Sequence, residues 1–460
     1  MQRILTAVLV IFTLLSCTQS SNSTNGEILV IRGATLIIGD GTRPLDNQVV
    51  LVKEGRIAQI SDADSYTPPT NAKVIDAKGK WLIPGLADMH VHVSGGSPLS
   101  RQIFRTMLGF GITTARNNSS AGTNGIEAKE MLESGQLIGP RLFVAGPLLD
   151  APNGFWNYAA VVETEQEVRE EVRRQAKLGV DFIKFYVDLS PELVKVGIEE
   201  AHTQGLKTIG HLEQTSWSEA ADFGIDSLVH SGIYGPTWEL SSDSVDRKSY
   251  QAVHLQPSVD LVTSLDLAGP TANALVKKLA EHAVVVDPNL VMTEAVYWGD
   301  DPNFLDQLEP QYAPADMARS WLGQVNPITS GFSEEQLGNL KKTFPAILEF
   351  VKMMHDSGVI LVSGTDLMNP WMTPGVALHR ELELLNKAGI SNLDVLTIAS
   401  HNAALALGEL ESFGTIEIGK YADMLVLNAD PLLDIRNTRK IDWVIREGII
   451  YSVGDLLSRE

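Results

Sequence analysis

The stretch 85-GLADMHVHV-93 places two histidines, His90 and His92, one residue apart inside an apolar run. Such short apolar runs belong to buried strands, where an unpartnered imidazole costs free energy. Side chains two apart on a strand point to the same side, so both imidazoles aim at one place. Seven runs of similar texture follow: ITTARNN (112–118), RLFVAGP (141–147), DFIKFY (181–186), KTIGHL (207–212), DSLVHS (226–231), VVVDPNL (284–290) and VILVSGTD (359–366). Helical patterns separate them, such as 164-TEQEVREEVRRQAKLG-179 and 191-PELVKVGIEEAHTQG-205, each closing on the glycine that helix ends favour. Eight β-then-α units over 86–410 predict an α/β fold, a (β/α)8 TIM barrel. Long insertions at 232–282 and 293–344, the second carrying Trp298 and Trp321, are expected to cover a substrate.

The flanks read differently. Segments 28–85 and 411–455 contain β-branched runs punctuated by tight-turn residues, and Arg446-Glu447-Gly448 echoes Lys53-Glu54-Gly55. The two chain ends are expected to complete one small β-sandwich of antiparallel strands. Ahead of it, MQRILTAVLVIFTLLSC (1–17) has the layout of a secretory signal, with an apolar stretch too short to span a bilayer comfortably. Leu14-Leu15-Ser16-Cys17 resembles a bacterial lipobox, which implies lipidation at Cys17, a polar linker at 18–27, and an exported protein anchored by lipid on the periplasmic side of the cell envelope. Cys17 is the only cysteine, so no internal disulfide can form. The formal net charge of −21 gives no basic footprint for nucleic acid and favours a small-molecule or peptide substrate. Homo-oligomerisation is left open.

A barrel of this kind carries its chemistry at the C-terminal ends of its strands. There the chain places His90 and His92, Lys184, His211, His230 and Asp366, each interrupting an apolar run. Imidazole and carboxylate ligands suit Zn, Mn, Co, Ni or Fe. Asp366 has a plainer reading as a helix cap, and a lone buried histidine is usually a hydrogen-bonded core residue. His202, His254, His282, His355 and His379 lie in helical or loop contexts and keep that plainer reading. A buried ammonium at Lys184 would be expensive and could not bind a cation. It needs either a buried acid or conversion by carbon dioxide to an anionic carbamate.

Together, 81-WLIPGLADMHVHV-93, the Lys184/His211/His230 series, SGTDL (363–367) and 414-GTIEIGKYADMLVLNADPL-432 resemble the metal-dependent amidohydrolase superfamily. Within it they resemble the imidazolonepropionase-like branch of binuclear hydrolases, which includes Xaa-Pro dipeptidases. The resemblance implies two divalent ions, Zn first among the candidates. His90, His92 and Asp366 would hold the more buried ion, His211 and His230 the second, and carboxylated Lys184 would bridge them. It implies hydrolysis of an amide or peptide-type C–N bond in a small substrate, such as a dipeptide or N-acyl amino acid, by a metal-bridging hydroxide with Asp366 as general base. One departure is Asn117, where related sequences carry aspartate after the arginine. Competing readings are a mononuclear cyclic-amide hydrolase or deaminase, a lactone or ester hydrolase, and a metal-free binding protein. Tyr186 and Arg116 are the candidate substrate contacts, with Asn289 and Trp371 on weaker grounds.

Overall fold

A computed structural model describes residues 28–458 except 153, 233, 234, 236, 237, 242–258 and 322–331, with the side chain of 260 also left aside. The expected signal, Cys17 and His254 lie outside the described residues.

All eight expected central strands form: β1 (Leu86–Val91), β2 (Ile112–Asn117), β3 (Arg141–Val144), β4 (Phe182–Phe185), β5 (Lys207–Gly210), β6 (Ser227–Val229), β7 (Val285–Asp287) and β8 (Ile360–Leu361). β1, β2 and β3 pair in parallel, as do β4 through β8 in sequence order. A bridge between Ala145 and Phe182 joins the two sheets on one side. On the other, Val91 bridges Leu367, and Met89 N–H donates to Ser363 O at 2.8 Å. A pair of two-residue strands, Leu149–Asp150 and Ala160–Val161, extends β4 outward, which the sequence pattern did not lead us to expect.

The intervening helices start and stop where their caps dictate. Glu165–Leu178 opens on a reciprocal Thr164/Glu167 capping box and closes at Gly179, φ 84°. Pro191–Thr203 starts with proline in its first turn behind a Ser190 cap. β8 is much shorter than the expected 359–366. Inter-strand bonds continue a little past it, Val362 N–H to Val286 O and Met89 N–H to Ser363 O, and the segment ends in left-handed backbone at Asp366, φ 59°.

Both chain ends enter one eight-stranded sheet. Met424–Leu427 pairs with Trp81–Pro84 on one edge and Ile441–Arg446 on the other. The sheet is mixed rather than antiparallel throughout, because Ile28–Leu36 runs parallel to Ala72–Asp76 and to the start of Trp81–Pro84. Its apolar face buries residues from both ends, among them Ile31, Leu36, Val52, Met424, Val426 and Ile445. The echoing turns are two-residue hairpin loops with positive φ at both positions: Glu54 and Gly55, Glu447 and Gly448. They also touch, since a Cβ on Gly55 would fall 2.8 Å from Glu447 O.

Candidate metal centre

Residues at five strand ends converge. His90, His92, Lys184, His211, His230 and Asp366 all line one cavity of about 410 Å³, together with Tyr186. His90 and His92 both present Nε2 to Asp366 Oδ1, at 3.3 and 3.0 Å. These three residues offer ligand atoms within 4.8 Å of one another, a group that can hold a metal ion. On the far side, the His211 and His230 rings lie 4.5 Å apart, and His230 Nε2 is 3.9 Å from Asp366 Oδ2. Asp366 therefore stands between the two histidine pairs. Both Asp366 and His230 hold left-handed backbone, φ 59° and 67°, strain of the kind that concentrates at functional sites.

Electrostatics favour the ligand forms. Burial pushes the imidazoles of His90, His211 and His230 below their usual pKa, the latter two well below, so they are neutral near pH 7. Burial alone would raise Asp366, but His90, His92 and His230 outweigh it and hold the carboxyl below the usual range. Lys184 is the outlier. It is 2% exposed, its Nζ has no hydrogen-bond partner, and burial reinforced by the Arg116 charge lowers its amine to about 7.

A second layer orients the histidines. His90 Nδ1 meets Asn289 Oδ1 at 3.2 Å and Asp287 Oδ2 at 3.5 Å. His92 Nδ1 meets Ser119 Oγ at 3.2 Å, and Ser119 Oγ meets Tyr158 OH at 3.0 Å. Asp88 accepts from Thr365 N–H (3.0 Å), Thr365 Oγ1–H (2.7 Å) and His90 N–H (3.3 Å), fastening β1 to the segment that carries Asp366. Such partners fix the ring orientation of a metal-binding histidine.

Arg116 does not fit the part of substrate contact. It is fully buried beneath the cavity, where Nε donates to Met89 O at 2.8 Å, Nη1 to Ser227 Oγ at 3.3 Å, and Nη2 lies 4.0 Å from Asp287. Asn117 donates to Val93 O, so Asp287 supplies the acidic neighbour Arg116 needs. Trp371 lines a neighbouring cavity of about 350 Å³ with Arg380 and Arg439, and Asn289 serves His90 from behind. His379 bonds Phe110 O and Thr438 Oγ1, each at 2.9 Å, while His202, His282 and His355 face surface acids. Tyr186 does line the cavity, and its OH accepts from Trp156 Nε1 at 3.0 Å. The wall formed by Trp156, Tyr158 and Ser119 went unread in the sequence. The aromatic cluster Phe155, Trp156, Tyr158, in a segment with no strand or helix period, was its available signal.

Comparison with known proteins bears on the fold and the family. Over 227 residues the chain is 28% identical to an enamidase of Eubacterium barkeri, spanning 46% of this chain but only 58% of that relative. A protein assigned as a prolidase from Bifidobacterium longum superimposes with a TM-score of 0.68 at 25% identity, covering 92% of this chain and 94% of that one. A Xaa-Pro dipeptidase with methionine bound in its active site superimposes with a TM-score of 0.69 at 21% identity, over 93% and 100%. The amidohydrolase family model matches residues 81–450, from the strand preceding His90 to the last strands of the terminal sheet, and the chain belongs to the amidohydrolase family.

Proposed function

We propose that the protein is a binuclear metal-dependent hydrolase that cleaves an amide or peptide-type C–N bond in a small substrate, dipeptides and N-acyl amino acids being the first class to screen. The observation that carries this reading is Lys184. Its buried amine has no hydrogen-bond partner and lies in a cavity with four imidazoles and Asp366. As an ammonium it would face a large desolvation cost, whereas as a carbamate it would be an anionic bridging ligand. An amine lowered to about 7 is substantially neutral at physiological pH, the form that reacts with carbon dioxide. We assign His90, His92 and Asp366 to one ion, His211 and His230 to the other, and carboxylated Lys184 to both. Zn suits the imidazole-rich set. When bound, such ions supply Lewis acidity toward a carbonyl oxygen and lower the pKa of water.

The chain's own groups supply the rest. Asp366, at the centre of the histidine cluster, takes the proton of the attacking water as it adds to the carbonyl carbon, then returns it to the leaving nitrogen. Tyr186 keeps its phenolic proton because burial pushes its pKa up. With one lone pair engaged by Trp156 Nε1, its O–H remains available to donate to a substrate oxygen. We further propose that β1 to β8 close into a barrel over 86–410, that 28–85 and 411–455 form a β-sandwich, and that the chain is exported and lipidated at Cys17.

Metal counting on protein purified with bicarbonate, followed by a dipeptide and N-acyl-amino-acid screen, tests the central reading. Two equivalents per chain with C–N hydrolysis are expected, and Lys184→Ala should retain no more than one. About one equivalent in the wild-type protein would sink the binuclear assignment and favour the mononuclear cyclic-amide reading.

A further inference from the structure

The helix that follows β7, Leu290–Trp298, begins without help from the residue best placed to cap it. Asn289 occupies the cap position but sits in left-handed backbone, φ 49°, and its side chain makes no capping bond. Asparagine is among the strongest N-caps, and the first-turn N–H groups of a buried helix must find acceptors. Here the side chain turns the other way. Its Oδ1 meets His90 Nδ1 at 3.2 Å and its Nδ2 donates to Asp287 Oδ1 at 3.1 Å.

The acceptors come from another element. Glu381, on the helix Val376–Lys387 that follows β8, is fully buried. Its Oε1 accepts from Leu290 N–H at 3.1 Å and its Oε2 from Val291 N–H at 2.6 Å. Burial pushes the Glu381 carboxyl well above its usual pKa, with the two N–H donors at the positive end of the helix dipole pulling the other way. We propose that Glu381 is a positioning residue for the metal centre: by capping the helix after β7 in place of Asn289, it frees the Asn289 side chain to orient the His90 ring. Without Glu381, two buried N–H groups lose their acceptors, and Asn289 already occupies the cap position from which its side chain would replace them. Swinging there removes Oδ1 from His90 Nδ1, leaving only the longer contact to Asp287. Loss of such an outer partner typically weakens metal binding about 10- to 100-fold.

The inference rests on the reading of His90 as a metal ligand, so the experiment includes His90→Ala. Zn affinity is measured by chelator competition on the full chain, with thermal unfolding alongside. Glu381→Ala and Asn289→Ala should each lower the affinity of the tighter ion about 10-fold or more. The double variant should bind no worse than Asn289→Ala alone, because both lesions act through one contact. Losses that multiply in the double variant, or unchanged affinity in Glu381→Ala beside a lowered Tm, would mean that Glu381 serves only the fold. If Glu381→Ala does not fold, Glu381→Gln decides: it keeps one acceptor and should show a smaller loss, whereas unchanged affinity overturns the proposal. Unchanged affinity in His90→Ala instead overturns the ligand assignment beneath it.

Discussion

At the scale of single residues, Asp366 has the sharpest expectation attached to it. It touches both histidines of one pair and approaches one of the other, so its carboxylate is placed to serve both metal binding and proton transfer. In the proposed mechanism Asp366→Asn keeps an oxygen ligand but loses the base, so kcat should fall by about 10²–10⁴-fold while most of the metal stays bound. Elemental analysis beside turnover checks this, and a near wild-type rate would remove Asp366 from the chemistry. The six cavity-lining positions were legible because each polar residue breaks an apolar run near a strand end. Arg116 was not legible in the same way. β2 is buried along its whole length, so no polar alternation distinguishes a side chain facing the mouth from one facing the interior.

At the scale of elements, the segment after β8 carries more constraint than its composition suggests. A Cβ added at Gly364 would lie 2.3 Å from Asp287 Oδ2. Asp287 has little room to yield, being fully buried, bonded by Asn289 and close to both His90 and Arg116. Gly364→Ala should therefore cost about 1–3 kcal/mol in urea unfolding of the metal-free protein and also weaken metal binding. A variant equal to wild type in both would mean that the Asp287 carboxylate turns aside freely. The loop between Leu149–Asp150 and Ala160–Val161 is the counterpart that sequence reading missed. Two-residue strands give no period to detect, and Phe155 and Trp156 are about 40% exposed, so neither reads as core. Trp156 nevertheless forms part of the cavity wall and holds Tyr186 OH. Trp156→Ala should raise KM for substrates with bulky apolar groups about 10-fold, the scale of losing one well-packed aromatic contact, and steady-state kinetics across a side-chain series would reveal it. An equal KM increase for glycine-containing substrates would assign the effect to Tyr186 instead.

At the scale of the whole molecule, the joining of the two chain ends was readable from one repeated turn. Glu-Gly pairs at 54–55 and 447–448 require positive φ twice in succession, a demand local enough for sequence to display. The parallel pairing of Ile28–Leu36 with Ala72–Asp76 was not readable, because strand period says nothing about partner or direction. His379 is another long-range tie, joining the helix after β8 to Phe110 before β2 and to Thr438 near the C-terminus. Burial lowers its pKa from 6.5 to about 4. Between those values the unfolded chain binds a proton at this residue and the folded chain does not, so stability rises with pH across the window and is lost as pH falls from about 6.5 toward 4. One full proton corresponds to about 1.4 kcal/mol per pH unit, and above 6.5 this group adds no slope. His90, His211 and His230 shift the same way, so the His379 share must be isolated by difference. In chelated protein, urea unfolding at pH 7.5, 6.0 and 5.0 should give a shallower acid decline for His379→Gln than for wild type, by up to about 1.4 kcal/mol per unit below 6. Parallel declines would mean that the folded protein protonates His379 as readily as the unfolded chain, and that the bonds to Phe110 and Thr438 open before the molecule does.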